Sequence, residues 1–99
     1  MMVASTNTGN MFWQIQGAAY GNNETLDATW GTAVNATDAG SGTANQVNQS
    51  PATGSMTFSG TPAASDLAQF RIFRDSSNGS DTLTGTARLL GVMITYTRV

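Results

Sequence analysis

The large apolar side chains of this chain fall into three short runs that alternate with a period of two, and no segment shows the spacing of an amphipathic helix. In the first run, residues 11–20, Trp13, Ile15 and Gly17 share one face, and Phe12, Gln14 and Gln16 share the other. Gly21-Asn22-Asn23 then supplies a turn signal. The second run, residues 67–74, sets Phe70 and Ile72 against Gln69, Arg71 and Phe73. It follows Gly60-Thr61-Pro62 and ends in a stretch rich in turn formers, residues 75–80. The third run, residues 87–97, has Leu90, Val92, Ile94 and Tyr96 on one face and Leu89, Met93, Thr95 and Thr97 on the other. Apolar residues on both faces predict a strand that is central or covered on both sides. Weaker strand candidates lie at 31–37, 45–47 and 54–58, with a loop at 38–42 and an irregular link or helical turn at 26–30. Several short strands divided by turns predict one all-β domain over residues 1–99, an antiparallel β-sandwich of jelly-roll type. The runs at 11–20, 67–74 and 87–98 are expected to build its core.

That core must be thin. Of the 39% apolar residues in the 99-residue chain, thirteen are Ala, and there is no Cys to add a disulfide. Small domains with weak cores gain stability from neighbouring subunits, so burial against other copies is expected. Only 10% of the chain is charged, with neither Lys nor His. The four cations, Arg71, Arg74, Arg88 and Arg98, are interspersed with Asp66, Asp75 and Asp81. No basic stripe is present, which argues against nucleic acid as a partner. No apolar stretch approaches the roughly 20 residues of a membrane helix, so membrane insertion is not expected. The first residues lack the basic start and apolar run of a signal peptide.

Enzyme chemistry finds little to work with. His, Lys and Cys are missing, and no Gly-x-Ser-x-Gly motif occurs. Glu24 and Asp27, three apart, could place two carboxylates together as in glycoside cleavage, but they read far more readily as a solvated acidic turn. The oxygen-rich stretch from Asp75 to Asp81 suits a hard cation, but it lacks the terminal Glu of an EF-hand and reads more readily as a turn in which Asp and Asn bond their own backbone. With no His or Cys, zinc lacks its usual ligands. No catalytic, metal or cofactor residue is therefore assigned, and no cofactor is expected. Arg71 and Arg74 suit bidentate pairing across an interface, with Asp66, Asp75 or Asp81 as acceptors, or ordinary surface pairing. Trp13 in an alternating strand reads as core. Trp30 and Tyr20, if exposed together, offer stacking faces for a sugar. Four Asn-x-Ser/Thr matches, at Asn23, Asn35, Asn48 and Asn78, are expected by chance in a chain so rich in these residues.

Three blocks stand in order along the second half: Gly60-Thr61-Pro62, Phe70-Arg71-Ile72-Phe73-Arg74-Asp75 and Ala87-Arg88-Leu89-Leu90-Gly91-Val92. Together they resemble a β-sandwich domain found at the C-terminal ends of bacteriophage virion proteins of the fibre, appendage or capsid-decoration type. The first half resembles it more loosely, through Phe12-Trp13-Gln14-Ile15-Gln16-Gly17-Ala18-Ala19-Tyr20 and Glu24-Thr25-Leu26-Asp27, so the resemblance spans the chain from about Gly9 onward. It implies a virion location, a non-enzymatic structural role and a homotrimer in contact with other virion proteins. The alternative it leaves open is a receptor- or carbohydrate-binding module that meets a glycan on the host surface. Such domains carry further strands before the Trp13-Gln14-Ile15-Gln16 segment, so here those strands are expected to be absent or supplied by another chain. Phe12, Trp13, Tyr20, Arg71, Phe73, Arg74 and Asp75 are the candidate interface or structural residues.

Overall fold

The computed structural model describes residues 1–5, 8–26, 29–43, 46–60 and 62–96. Asp27 of the carboxylate pair, and Thr97 and Arg98 of the third run, lie outside the described residues. The fold is all-β, with no helix among the described residues. The described residues form six strands: β1 (Met2–Ser5), β2 (Asn10–Tyr20), β3 (Val34–Ala39), β4 (Val47–Gln49), β5 (Leu67–Arg74) and β6 (Ala87–Gly91). They form two three-stranded antiparallel sheets, β4-β1-β6 and β3-β2-β5.

β2 organises the molecule. It pairs with β5 from Trp13↔Arg74 to Tyr20↔Leu67, and with β3 from Asn10↔Ala39 to Ile15↔Val34. Of the nine buried hydrophobic residues among the described residues, seven lie on β2 (Met11, Phe12, Trp13, Ile15, Ala18, Ala19 and Tyr20), so the core is essentially the two faces of one central strand. The register keeps the alternation read from the sequence. Trp13, Ile15 and Gly17 stand beside Arg74, Ile72 and Phe70, while Gln14 and Gln16 stand beside Phe73 and Arg71. Met11, Trp13 and Leu83 cluster, and Met1, Ile72 and Ala87 pack against them. Met1 and Ala87 thereby bring the β4-β1-β6 sheet to the Trp13 face of the other one.

Two glycines on and beside β2 are set by space. A Cβ on Gly17 would lie 2.5 and 2.6 Å from the ring of Phe58. The bare backbone lets that ring lie over β2 and meet Phe70 edge to face, with centroids 5.4 Å apart. A Cβ on Gly31 would fall on the carbonyl oxygen of Thr57. Close approach is needed there because Gly31 and Ser59 both donate to the Gly17 carbonyl, at 3.0 and 3.1 Å, and Ala19 donates to Ser59 at 3.2 Å. The 54–58 candidate is thus no strand, but Ser59, the residue after it, forms a parallel bridge with Ala18 that completes β2 beyond the reach of β3.

Four further expectations need correction. None of the described residues in the runs at 67–74 and 87–98 is buried, so these runs flank the core rather than build it as expected. The third run is a strand only to Gly91, and β6 is an edge strand with Leu89 and Leu90 exposed rather than a covered central one. The reason is the ladder: β6 pairs only with β1, and Met2↔Gly91 is its last rung. The 38–42 segment is not wholly loop, since Asp38 and Ala39 finish β3. A strand does precede β2, because residues 2–5 form β1 in the middle of its sheet.

Gly31→Ala should destabilise the chain by about 1–3 kcal/mol, because a fixed backbone oxygen cannot yield as a side chain can. Gly54→Ala, with nothing within 4 Å of its Cβ, should stay within about 0.5 kcal/mol of the parent. Urea melts of the two variants check the contrast.

Candidate interface

Arg74 ends β5 and closes the loop that follows it. Its Nε and Nη2 donate to the two carboxylate oxygens of Asp81, at 2.8 and 2.7 Å. Nη1 donates to the Gly85 carbonyl at 3.0 Å and Nη2 to the Leu83 carbonyl at 2.6 Å. Asp81 also accepts the N–H of Phe12 at 2.9 Å. Its side chain is 1% exposed and that of Arg74 17%, so this is an ion pair largely withdrawn from water. The hydrogen bonds from Arg74 hold the Asp81 carboxyl below the usual range. Burial opposes this, while the Phe12 N–H and the Arg74 charge add to it. Sequence reasoning named Asp81 among the acceptors; the partner is in the same chain.

Asp75 lies at the start of the same loop. Its N–H donates to the Phe12 carbonyl at 2.9 Å, and its Oδ1 accepts from the N–H and hydroxyl of Ser77 at 3.2 and 2.7 Å. Asn78 Oδ1 likewise accepts the N–H of Ser80 at 2.8 Å. The oxygens that suggested a cation site are thus engaged in turns and in the Arg74 pair.

Arg71 faces the opposite side of the sheet and is exposed. Its Nε donates to Gln16 Oε1 at 2.9 Å, its Nη2 donates to the same oxygen, and Gln16 Nε2 donates to the Gly31 carbonyl at 3.3 Å. The guanidinium lies 5.2 Å from the ring centre of Trp30 and 5.4 Å from that of Phe73. Its hydrogen-bond acceptor is an amide rather than Asp66, Asp75 or Asp81, and one side of Trp30 is taken by it. Phe12, Trp13 and Tyr20 are 8%, 5% and 5% exposed, so their side chains serve the interior. The Tyr20 hydroxyl donates to the Leu26 carbonyl at 3.1 Å and ties down the link after β2. That leaves Tyr20 and Trp30 without a joint exposed stacking face. Glu24 is exposed, with its N–H closing a turn onto the Gly21 carbonyl.

Two features escaped the sequence. Asp38 is 2% exposed; Asn48 donates to its Oδ1 at 2.9 Å, while its Oδ2 is buried without a partner among the described residues. Burial pushes its pKa up, against the lowering effects of Asn48 and the terminal amine. The period-two row Val34, Ala36, Asp38 was the available signal, hidden by the charge. The second feature is a cleft of about 280 Å³. It is lined by Met1, Ile15, Val34, Phe70 and Ile72 together with residues 50–56 and 92–95. A neighbouring hollow between Met56, Phe58, Phe70, Ile94 and Tyr96 continues it. Leu67, Leu90, Met93, Ile94 and Tyr96 are all more than half exposed around it and along the sheet edges.

Removing one member of the ion pair leaves the other charge buried alone, which costs about 3–5 kcal/mol. Asp81→Ala should therefore lose about that much in a urea melt, and Arg74→Lys should recover only part of it because an ammonium cannot fork. Asp38 works the other way with pH. Since its folded pKa is raised, its contribution is fully favourable below the unfolded value and is lost as pH rises through the folded one. Asp38→Asn should flatten the fall in melting temperature from mildly acidic to neutral pH, a difference that thermal scans across that range would register. Compared with family models, curated proteins and solved structures, the chain matches none of them.

Proposed function

We propose that this protein is a non-enzymatic structural component on the outside of a bacteriophage particle, a capsid decoration or the head of a fibre, that works by packing against other copies and other virion proteins. The observation that carries the assembly half of this reading is the uncovered apolar surface at residues 89–96 beside the open cleft. A soluble monomer rarely leaves a contiguous apolar patch of this kind open, and such patches mark association sites. The phage half rests on the resemblance carried by the Phe70-Arg71-Ile72-Phe73-Arg74-Asp75 and Ala87-Arg88-Leu89-Leu90-Gly91-Val92 blocks. In this reading the two three-stranded sheets are the layers of a jelly-roll-like β-sandwich, and the resemblance implies a trimer.

Three of the six acidic residues are held in structural contacts. Asp81 is neutralised by Arg74, Asp75 caps a turn, and Asp66 accepts the N–H of Ala63 at 3.0 Å. The outer face of the β3-β2-β5 sheet, by contrast, is dressed with Asn35, Thr37, Gln69 and Arg71, a polar coat that stays soluble with few charges.

Native mass spectrometry at micromolar concentration should show an oligomer of the 10.3 kDa chain. Quantitative mass spectrometry of purified particles encoding it should find it in many copies per particle. A lone monomer would overturn the assembly, and absence from the particle would overturn the virion role.

A further inference from the structure

Hydrogen bonding between the two sheets is sparse. Among the described residues, one side chain bonds a strand of one sheet to a strand of the other. It is Asn48 of β4, whose Nδ2 donates to Asp38 Oδ1 at 2.9 Å and to the Ala39 carbonyl, both on β3. β4 is also lightly held. It is three residues long, lies at the edge of its sheet and pairs only with β1. Its Val47 is 60% exposed, so little apolar burial adds to that short ladder. Elements of this kind open locally at a free energy well below that of the whole fold.

The group that Asn48 holds is badly placed to carry a charge. Asp38 is buried, and its Oδ2 has no partner among the described residues. A carboxylate withdrawn from water with one oxygen unbonded costs far more than the neutral acid, which leaves only one polar atom unpaired. Few charges can offset this. Tyr20 is the one ionisable side chain on β2 and lies at its far end from Met11, the residue opposite Asp38. Met2–Ser5, Val47–Gln49 and residues 40–46 have none. Arg74, across β2 from β3, is bound to Asp81. Arg88 is exposed on β6, beyond β1 from β4. The Met1 amine favours the charged form, but it donates to Ser50 Oγ at 3.1 Å rather than to the carboxyl.

We propose that the Asp38–Asn48 contact is a proton-operated clasp between the sheets, closed while Asp38 is neutral and released when Asp38 ionises, with β4 lifting off β1 and β3 so that water reaches the carboxylate. The proton goes to solvent. Ionisation strengthens the bond from Asn48, but burial raises the pKa by more than Asn48 and the Met1 amine lower it. The closed form therefore holds its proton more tightly than an opened one, and each deprotonation favours opening. The clasp goes beyond the assembly proposed above and does not depend on it.

Proton linkage sets the expected size. Between the ordinary carboxylate value and the raised one, the opening constant should grow about tenfold per pH unit, and above the raised value it should level off. NMR of the isotope-labelled full chain reads both ends of the linkage. The Asp38 carboxyl signal should titrate above the usual carboxylate range. Over the same range, hydrogen-exchange protection corrected for the intrinsic pH dependence of exchange should fall by about that tenfold factor per unit at the β4 amides. Protection in the β2-β5 ladder should stay constant. Asp38→Asn keeps an oxygen for Asn48 and carries no charge, so β4 protection should no longer change with pH. Asn48→Ala removes the donor and should lower β4 protection at every pH; if that variant does not fold, the parent and Asp38→Asn still decide the matter. An Asp38 that titrates in the usual range, or a pH dependence at β4 that survives Asp38→Asn, would overturn the clasp. So would a carboxyl that titrates while β4 protection stays flat, since only the Asn48 side chain would then respond.

Discussion

The fork between Arg74 and Asp81 holds together parts of the chain that no ladder connects. β5 and β6 belong to different sheets, and the twelve-residue passage between them, 75–86, has no regular strand of its own. A passage of that length without an anchor would lose much entropy on ordering. Arg74 supplies the anchor from its own strand end: two bonds to Asp81, one each to the Leu83 and Gly85 carbonyls. Asp81 in turn takes the Phe12 N–H, and the Asn10 carbonyl takes the N–H groups of Thr82 and Leu83 at 2.8 and 3.0 Å. The consequence is apolar. Leu83, a loop residue, is delivered to Met11 and Trp13 and joins the core cluster. An ammonium has neither the planar fork nor the number of fixed donors for this geometry, which accounts physically for Arg at this position.

From that anchor the economy of the core follows. Large side chains are scarce, so burial is concentrated on β2, the longest strand and the middle one of its sheet. Its C-terminal half is built from Gly17, Ala18 and Ala19, which bury little area themselves but admit Phe58 and the bridge at Ser59 against the strand. Small residues here exchange side-chain contact for backbone approach. The cost is that Phe70 and Ile72, on the neighbouring strand, stay only half-buried, and the cleft above them is the volume this exchange leaves open.

What the sequence made legible was the part governed by period two. β2 and β5 were readable with their faces, since Trp13 and Ile15 against Gln14 and Gln16, and Ile72 against Arg71, state the alternation in large and polar residues. The structure keeps both. Arg74 was readable as a bidentate residue and Asp81 as one of three acceptors, because charge is so sparse that few pairings exist. β1 was not readable: Met2–Ser5 offers four residues with no polar–apolar contrast, and its place in the middle of a sheet comes from its partners on either side. Asp38 was hidden for the opposite reason. A carboxylate normally marks the outside, and here a period-two position overrides that preference with Asn48 satisfying one oxygen. The third run misled because alternation signals the capacity to form a strand, not the presence of a ladder. Residues 92–96 have the pattern, yet β1 ends before it can pair with them.

That last case separates two kinds of exposed edge. Sheet edges invite association unless they carry charge, proline, a bulge or a cover. At the β5 edge, Gln69 and Arg71 stand outward, with Arg71 lying across Trp30 and Phe73; at the β3 edge, Asn35 and Thr37 do. Both are polar. Residues 89–96 have no such protection: no charge, no proline, and apolar side chains on both faces of an alternating segment. Exposed apolar side chains elsewhere at the edges, Val47 on β4 and Leu67 on β5, stand singly, whereas residues 89–96 expose them in succession beside the cleft. At residues 92–96 the alternation is present without a ladder, so apolar side chains on both faces stay in solvent instead of entering a sheet.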